Sequence, residues 1–244
     1  MPNFWKVVND VIKEADILLE VLDARMVEDS RNKEIEEKVT KSGKPLVYVI
    51  NKCDMVEKTQ LEKYKRELKP CVFVSATSHL GTNFLRRAIM RYAPKGKFKV
   101  GVLGYPNTGK SSLINALKGK GSAPTAPISG YTKGVQLIRV SERMYLLDSP
   151  GVFPYKEKDE GKHALIAAKT FSNLKDPEEA VLQMLEQFPK VFEKHYDVKH
   201  DDDPLVVLEH IAVRLNKLRK GGFPDTNAAS RIVLKDWQEG RIRK

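Results

Sequence analysis

The sequence predicts an α/β fold in which a mostly parallel sheet, closed at one edge by an antiparallel hairpin, precedes a small all-helical domain. Three observations predict it. Short apolar runs alternate with helix-like segments from residue 17 to residue 117, the pattern of strand–helix–strand units. The runs LVYVI and CVFV are apolar at every position, as in strands covered by helices on both faces. Beyond Pro154 the strands stop and Asp-Pro helix starts take over.

The strands are expected at 17–22, 46–50, 71–74, 99–103, 135–140 and 144–147. VQLIRV alternates and carries Gln136 and Arg139, which suits a half-exposed edge strand. Only Ser141, Glu142 and Arg143 separate it from MYLLDS, so the two form an antiparallel hairpin. Helices are expected at 33–42, 57–69 and 83–92, each with a charged face, and again over SSLINALKG. Asp176-Pro177 and Asp203-Pro204 are capping starts, Asp accepting from backbone N–H groups and Pro opening the first turn. Gly221-Gly222 interrupts the helical periodicity that follows. The domains are expected at 1–159 and 160–244.

With 244 residues the chain can bury a large core. No apolar run approaches the length of a membrane span, no secretory signal opens the sequence, and two cysteines make no disulfide framework. A cytoplasmic protein without a membrane partner is the expectation, with Cys53 and Cys71 as small apolar residues beside strands. The net charge of +11 points to a polyanion. Residues 86–99 hold six cations and no Asp or Glu, and the last forty residues hold nine Lys or Arg against four Asp or Glu. Each of these patches is either an electrostatic footprint or a solvated helix face.

Gly104-Tyr-Pro-Asn-Thr-Gly109-Lys110-Ser111 fits GxxxxGK[ST] between a strand and a helix, the context that a phosphate loop requires. Its glycines let backbone N–H groups of Asn107, Thr108, Gly109, Ser111 and Ser112 wrap phosphates at a helix N-terminus. Lys110 would neutralise β/γ oxygens and Ser111 would ligate Mg²⁺. Asn51-Lys52-Cys53-Asp54 follows the strand LVYVI. A carboxylate at Asp54 accepts from guanine N1–H and the 2-amino group, while adenine would leave it unpaired, at about 1.5–3 kcal/mol per charge-assisted hydrogen bond. Asn51 would support the base and the neighbouring loop, and the Lys52 stem would lie along the purine face. Ser75-Ala76-Thr77, after CVFV, is the companion segment, with the Ala76 N–H meeting guanine O6.

Asp148-Ser-Pro-Gly151 fits DxxG, Asp148 holding Mg²⁺ through water and the Gly151 N–H sensing the γ-phosphate. Thr132, in a stretch rich in Gly, Pro and Ser, is the natural switch threonine and a third Mg²⁺ ligand beside Ser111 and Asp148. Lys110, Thr132 and Gly151, which act on the γ-phosphate, are the catalytic candidates. GTP or GDP with Mg²⁺ is the implied ligand. In common GTPases the phosphate loop comes first and NKxD fourth, whereas here NKCD and SAT precede it. The fold class is therefore a circularly permuted P-loop GTPase domain, and the chain leaving DxxG runs straight into the helical domain.

The permuted order, with Asp23-Ala24-Arg25, Ser30-Arg31-Asn32 and Gly221-Gly222-Phe-Pro224-Asp225 followed by Ala229, Arg231 and Leu234-Lys-Asp236-Trp237, resembles the YlqF/RbgA-type circularly permuted GTPases. Nearly the whole chain takes part. The resemblance implies assembly of the large ribosomal subunit, with rRNA or the subunit's precursor as partner and a helical RNA-binding tail. Asp23 and Arg25 read as a structural ion pair at a strand end. The Pro-Gly-His-Met segment of many members is absent from residues 1–13, which hold no histidine, and Val27 replaces the usual proline.

The residue after DxxG is Val152, which cannot orient water as the glutamine of many GTPases does. The resemblance implies the same, since a hydrophobic residue stands there in this family. Slow intrinsic hydrolysis is expected, with help from the switch region, the ribosomal partner or a cation. His163 reads as a surface residue. Asn107 either ligates K⁺ beside the phosphates, as in potassium-stimulated GTPases, or serves only the loop turn. The tail candidates are Arg219 and Lys220, grouped with Arg214 and Lys217 at a helix end, and Arg231 and Lys235 one turn apart on the next helix. Trp237 is expected in the core. The leading expectation is a GTP-hydrolysing assembly factor that docks on rRNA and is released on hydrolysis. A GTP-gated RNA-binding module with negligible hydrolysis is the alternative. A transfer-RNA modification GTPase shares the loop but would need a modification domain.

Overall fold

The computed structural model describes residues 4–119, 135–149 and 176–244. The chain divides into two compact units, Met1–Glu157 and Lys158–Lys244. In the first, α1 (Phe4–Glu14) leads to β1 (Ile17–Asp23), a short 3-10 turn (Ala24–Met26), α2 (Val27–Ser30), α3 (Lys33–Ser42) and β2 (Leu46–Asn51). After a second 3-10 turn (Cys53–Met55) come α4 (Lys58–Leu61), α5 (Tyr64–Glu67), β3 (Cys71–Phe73) and α6 (Thr82–Tyr92). Next are β4 (Phe98–Leu103), α7 (Lys110–Lys118), β5 (Gln136–Arg139) and β6 (Met144–Asp148). The strand order is β3-β2-β1-β4-β6-β5. All neighbours are parallel except β5 and β6, which are antiparallel.

Central β1 is buried at all seven positions, and its side chains sort by parity. Ile17, Leu19 and Val21 join Leu85 and Ile89 of α6 and Leu113 and Leu117 of α7. Leu18 joins Val7, Val8, Val11 and Ile12 of α1 and Ile35 and Val39 of α3. A strand with helices on both faces has no solvated side, which is why its sequence lacks polar alternation. α1 packs so closely that a Cβ on Gly101 of β4 would come within 2.7 Å of a Val11 methyl carbon. Glu20 is the exception on β1, fully buried, with Oε1 accepting from the Asn32 N–H at 2.8 Å.

The sequence expects one helix over 57–69, and the structure has two single-turn pieces instead. Neither α4 nor α5 has a side-chain N-cap, and their buried residues Leu61 and Tyr64, with Leu68 just after α5, serve a separate cluster with Leu22 and Ile50. The edge hairpin is as expected. The Ser141 hydroxyl accepts from the N–H groups of Arg143 and Met144 at 3.3 and 3.0 Å, closing its turn.

The second unit holds α8 (Pro177–Gln187), α9 (Val191–Tyr196), α10 (Pro204–Arg214) and α11 (Thr226–Gln238). Asp176 caps α8, accepting from Glu178 and Glu179, and Asp203 caps α10, accepting from Leu205. Trp237 is fully buried, as expected, with Phe188 and Phe192 centroids at 5.3 and 5.5 Å. The Tyr196 hydroxyl donates to Asp236 Oδ2 at 2.9 Å. Burial and the Asp236 charge push that phenol upward from its ordinary value.

One correction concerns the basic group at 214–220. Only Arg214 belongs to a helix. Asn216 takes a left-handed φ of 53°, the Lys217 N–H reaches the Ala212 carbonyl at 2.8 Å, and α10 stops there. Arg219 and Lys220 instead ride a short turn closed by a Leu218–Pro224 bridge, with Gly221 and Gly222 at φ of 93° and 82°.

Candidate nucleotide site

The parallel strands all point one way, so their carboxyl ends bring Ser75, Asn51, Asp23, Gly104 and Asp148 to one edge of the sheet. Ligands in open α/β sheets bind outside that edge. The permuted chain order thus gives one contiguous edge, because the register that pairs Asp23 with Asn51 and Val102 with Asp148 does not depend on which motif comes first.

The loop after β4 curls with Asn107 at a φ of 60° and Gly109 at 94°. A Cβ on Gly109 would stand 2.2 Å from Asn51 Nδ2, so glycine is required there by both backbone and space. The Thr108 hydroxyl donates to the Tyr105 carbonyl at 3.0 Å. Lys110 opens α7, and its ammonium donates to the Gly104 and Tyr105 carbonyls at 3.1 and 2.6 Å. Burial lowers the Lys110 pKa to about 8, against the pull of the Asp148 charge. Asp148 at the end of β6 is half-buried, and burial raises its carboxyl while Lys110 opposes the rise. Ser111 and Ser112 are exposed in the first turn of α7. Thr132, Gly151, Val152 and His163 lie outside the described residues.

Asn51 is buried and uses both ends of its amide. Nδ2 donates to the Thr108 carbonyl at 2.9 Å, and Oδ1 accepts from the Ala76 N–H at 3.1 Å. The Ala76 N–H, expected to meet guanine O6, is thus given to Asn51 in this structure. Lys52 takes a left-handed φ of 60° and bonds Asp23 Oδ2 through Nζ at 2.7 Å. Asp54 Oδ1 is enclosed and has no hydrogen-bond partner. An enclosed acceptor without a donor is costly, and its natural complement is a ligand donor. Ser75 is buried, with its hydroxyl 3.5 Å from that of exposed Thr77 and accepting from the Ser78 N–H at 3.4 Å.

Chemically the edge offers a helix N-terminus and a buried ammonium for phosphate, an unpaired carboxylate for a base bearing donors, and an acid at the end of β6 with a hydroxyl in the first turn of α7. Ser111 and Asp148 are a donor set that fits Mg²⁺ shared with phosphate, since oxygen ligands suit that ion. The tail candidates form two exposed groups in the second unit. Arg219 and Lys220 are on the turn, Arg219 Nε lying 3.5 Å from Asp225 Oδ1. Arg231 and Lys235 share the exposed face of α11, with Arg231 Nε on Asn227 Oδ1 at 3.3 Å.

Sequence reasoning missed two features. It paired Asp23 with Arg25 but gave Lys52 no partner, although a charged lysine after a buried strand needs one. It also passed over Glu20, whose signal is a single acid inside ILLEVL. The other signature residues hold the first crossover together. Ser30 Oγ accepts from the Asp23 N–H at 3.0 Å, and Asn32 Oδ1 caps α3 by accepting from Ile35.

Comparison with known proteins bears on this geometry. A family model described as 50S ribosome-binding GTPase matches residues 99–215, and one described as RsgA GTPase matches residues 23–156. A GTP-binding protein of Methanocaldococcus jannaschii is 37% identical over 97% of this chain and 65% of its own length. Nucleolar GTP-binding protein 2 of Cryptococcus neoformans var. grubii is 34% identical over 98% of this chain and 37% of its own. GTPase grn1 of Schizosaccharomyces pombe is 32% identical over 95% of this chain and 59% of its own. The chain therefore spans less than two thirds of each of these relatives. The fold of GNP-bound YlqF from T. maritima superposes with a TM-score of 0.68, covering 97% of this chain and 94% of that one at 22% identity. With its motif order carried on a sheet of this topology and matched along its length, the chain belongs to the circularly permuted GTPases of the YlqF/RbgA type.

Proposed function

We propose that this chain binds GTP and GDP at the carboxyl edge of its sheet, hydrolyses GTP slowly, and acts as an assembly factor on the maturing large ribosomal subunit. The observation that carries the nucleotide reading is the Asn51 side chain. Its bonds to the Thr108 carbonyl and the Ala76 N–H join the base motif, its companion and the phosphate loop. Such a junction is what a site holding a base and its phosphates together requires. Asp54 Oδ1 supplies the unpaired acceptor for guanine N1–H and the 2-amino group.

In this reading Asn51, Lys52, Asp54, Ser75, Ala76 and Thr77 surround the base. Asn107, Thr108, Gly109, Lys110, Ser111 and Ser112 surround the phosphates. The Lys110 ammonium now rests on two loop carbonyls, and β/γ oxygens are stronger acceptors that draw it away. The Ala76 N–H reaches guanine O6 only by being shared with Asn51 Oδ1. Ser111 and Asp148 hold Mg²⁺, with Thr132 completing the set when triphosphate is bound; the ion neutralises charge on the β- and γ-phosphates. Gly151 senses the γ-phosphate. K⁺ at Asn107 is the proposed second cation.

The ribosomal part of the reading is supported by a family model described as ribosome-binding and by relatives named as nucleolar. Those names favour the place where large subunits are assembled over a strictly cytoplasmic location. Arg219, Lys220, Arg231 and Lys235 are the proposed rRNA contacts, docking the GTP form until hydrolysis releases it. Among the described residues no helix is long and apolar enough to cross a membrane.

Single-turnover GTP cleavage with and without large-subunit precursor particles tests the hydrolytic step. Cleavage accelerated by particles is expected. The second reading, a GTP-gated RNA-binding module, is favoured by Val152. Particle binding that follows nucleotide exchange, with no cleavage under either condition, would establish it instead.

A further inference from the structure

We propose that the buried Asp23–Arg25 pair is a positioning device for the base site: its carboxylate holds the Lys52 ammonium and so fixes the stem that covers the purine. The inference rests on the reading that residues 51–54 hold guanine.

Asp23 ends β1 directly beside Asn51, the end of β2. Its carboxylate is immobile. Oδ1 accepts from the Arg25 backbone N–H and from Nε, both at 3.0 Å, and Oδ2 accepts from the Arg25 guanidinium at 2.8 Å. A bidentate Asp–Arg pair is already balanced in charge. Oδ2 nevertheless takes a second cation, Lys52 Nζ, at 2.7 Å. A guanidinium and an ammonium then share one carboxylate that is 1% exposed. Burial pulls the Lys52 pKa down and the Asp23 charge pushes it up, with Arg25 opposing and Asp54 assisting.

Stability alone does not call for this arrangement. Buried charges are expensive, and a lysine at a φ of 60° and ψ of 32° lies in a region that side chains disfavour. Both costs make sense if the course of the stem is the product. The left-handed Lys52 starts the stem at the end of β2, Asp23 fixes its tip at the end of β1, and the following 3-10 turn carries Asp54. One element thus supplies a flat methylene surface and the acceptor that reads the base edge. Asp23 ends β1, and Ala24 and Arg25 open the 3-10 turn that follows, so the anchor sits at the end of the strand paired with the one that carries Asn51.

The test measures GDP and inorganic tripolyphosphate binding by calorimetry for the full chain and for Asp23→Asn, Lys52→Met and the double variant. Each single change is expected to weaken GDP on the order of tenfold, the scale of one charge-assisted hydrogen bond. Tripolyphosphate affinity stays as in the parent, and the double variant is no weaker than either single one. Equal loss for GDP and tripolyphosphate, or losses that multiply, would overturn the proposal. If Asp23→Asn does not fold, Asp23→Glu keeps the charge but displaces the Lys52 tip, and parental GDP affinity in that variant would overturn it too. Asp54→Asn with xanthosine diphosphate is the separate control. A switch of base preference keeps the site at NKCD whatever Asp23 does, whereas no switch removes that site and this proposal with it.

Discussion

Asn51 Nδ2 donates to the Thr108 carbonyl at 2.9 Å, across 57 residues of sequence. The bond spans from the end of β2, past β1, to the loop after β4, so the base motif and the phosphate loop are held as one body. Asn51→Ala leaves the Ala76 N–H and the Thr108 carbonyl without their present partner. Each buried group so orphaned costs about 1–3 kcal/mol. Chemical denaturation is expected to register a loss of that size, and GDP binding a parallel one. Parental affinity for GDP would mean the two loops hold their places without Asn51.

Glu20 gives the fold a pH dependence of unusual sign. Burial, reinforced by the nearby Glu36 charge, raises its pKa from 4.5 to about 8. The folded state therefore keeps a proton that the unfolded chain has released above pH 4.5. This contribution is fully present below 4.5 and is lost as pH rises through about 8. The slope cannot exceed about 1.4 kcal/mol per pH unit for one proton. Glu20→Gln should flatten the decline in stability across that window, as read from denaturation midpoints at several pH values. An unchanged profile would show that Glu20 is ionised in the fold.

The sheet was legible because its strands are short apolar runs bounded by turns, and the β5–β6 hairpin because Gln136 and Arg139 mark an edge. The helix expected over 57–69 split because periodicity reports a buried stripe but not whether caps exist to hold a continuous helix around it. The basic group at 214–220 was misread for a similar reason: Asn216 is an αL helix stop, a weaker signal than the glycines after it. At the candidate site, motif spacing singles out Lys110, Asp54 and Asp148, which lie at the carboxyl edge of the sheet. It could not locate what depends on strand neighbours. That Lys52 bonds Asp23 follows from β1 lying beside β2, and that the Ala76 N–H bonds Asn51 from β3 lying beside β2, which no linear spacing contains.

Asn107 carries the potassium proposal. A monovalent cation beside the α- and γ-phosphates neutralises transition-state charge, partly replacing a polar residue at position 152. GTP turnover is expected to rise in K⁺ relative to Na⁺, and Asn107→Ala to erase the difference. Equal rates in the two salts for the parent protein would leave Asn107 as a loop residue alone.

Arg219, Lys220 and Arg231 are exposed in the second unit, and the rRNA proposal makes a quantitative demand on them. Each phosphate contact removed lowers the log–log salt slope by about 0.7–0.9. Replacing the three together should flatten the slope for precursor particles by roughly two to three units, without changing GTP affinity. A triple variant with the parental slope would move the RNA surface elsewhere, and the cations of residues 86–99 would be next to test.

The guanine site itself is tested at Asp54, whose Oδ1 is enclosed without a partner. Xanthine carries a carbonyl where guanine has its 2-amino group, and an amide at position 54 can donate to it. The decisive measurement is competition between guanosine and xanthosine triphosphates for the parent and for Asp54→Asn. A reversal of preference toward xanthine, with unchanged affinity for inorganic tripolyphosphate, is the expected result. Retention of guanine preference by Asp54→Asn would contradict the account, because the carboxylate would then not be reading the base.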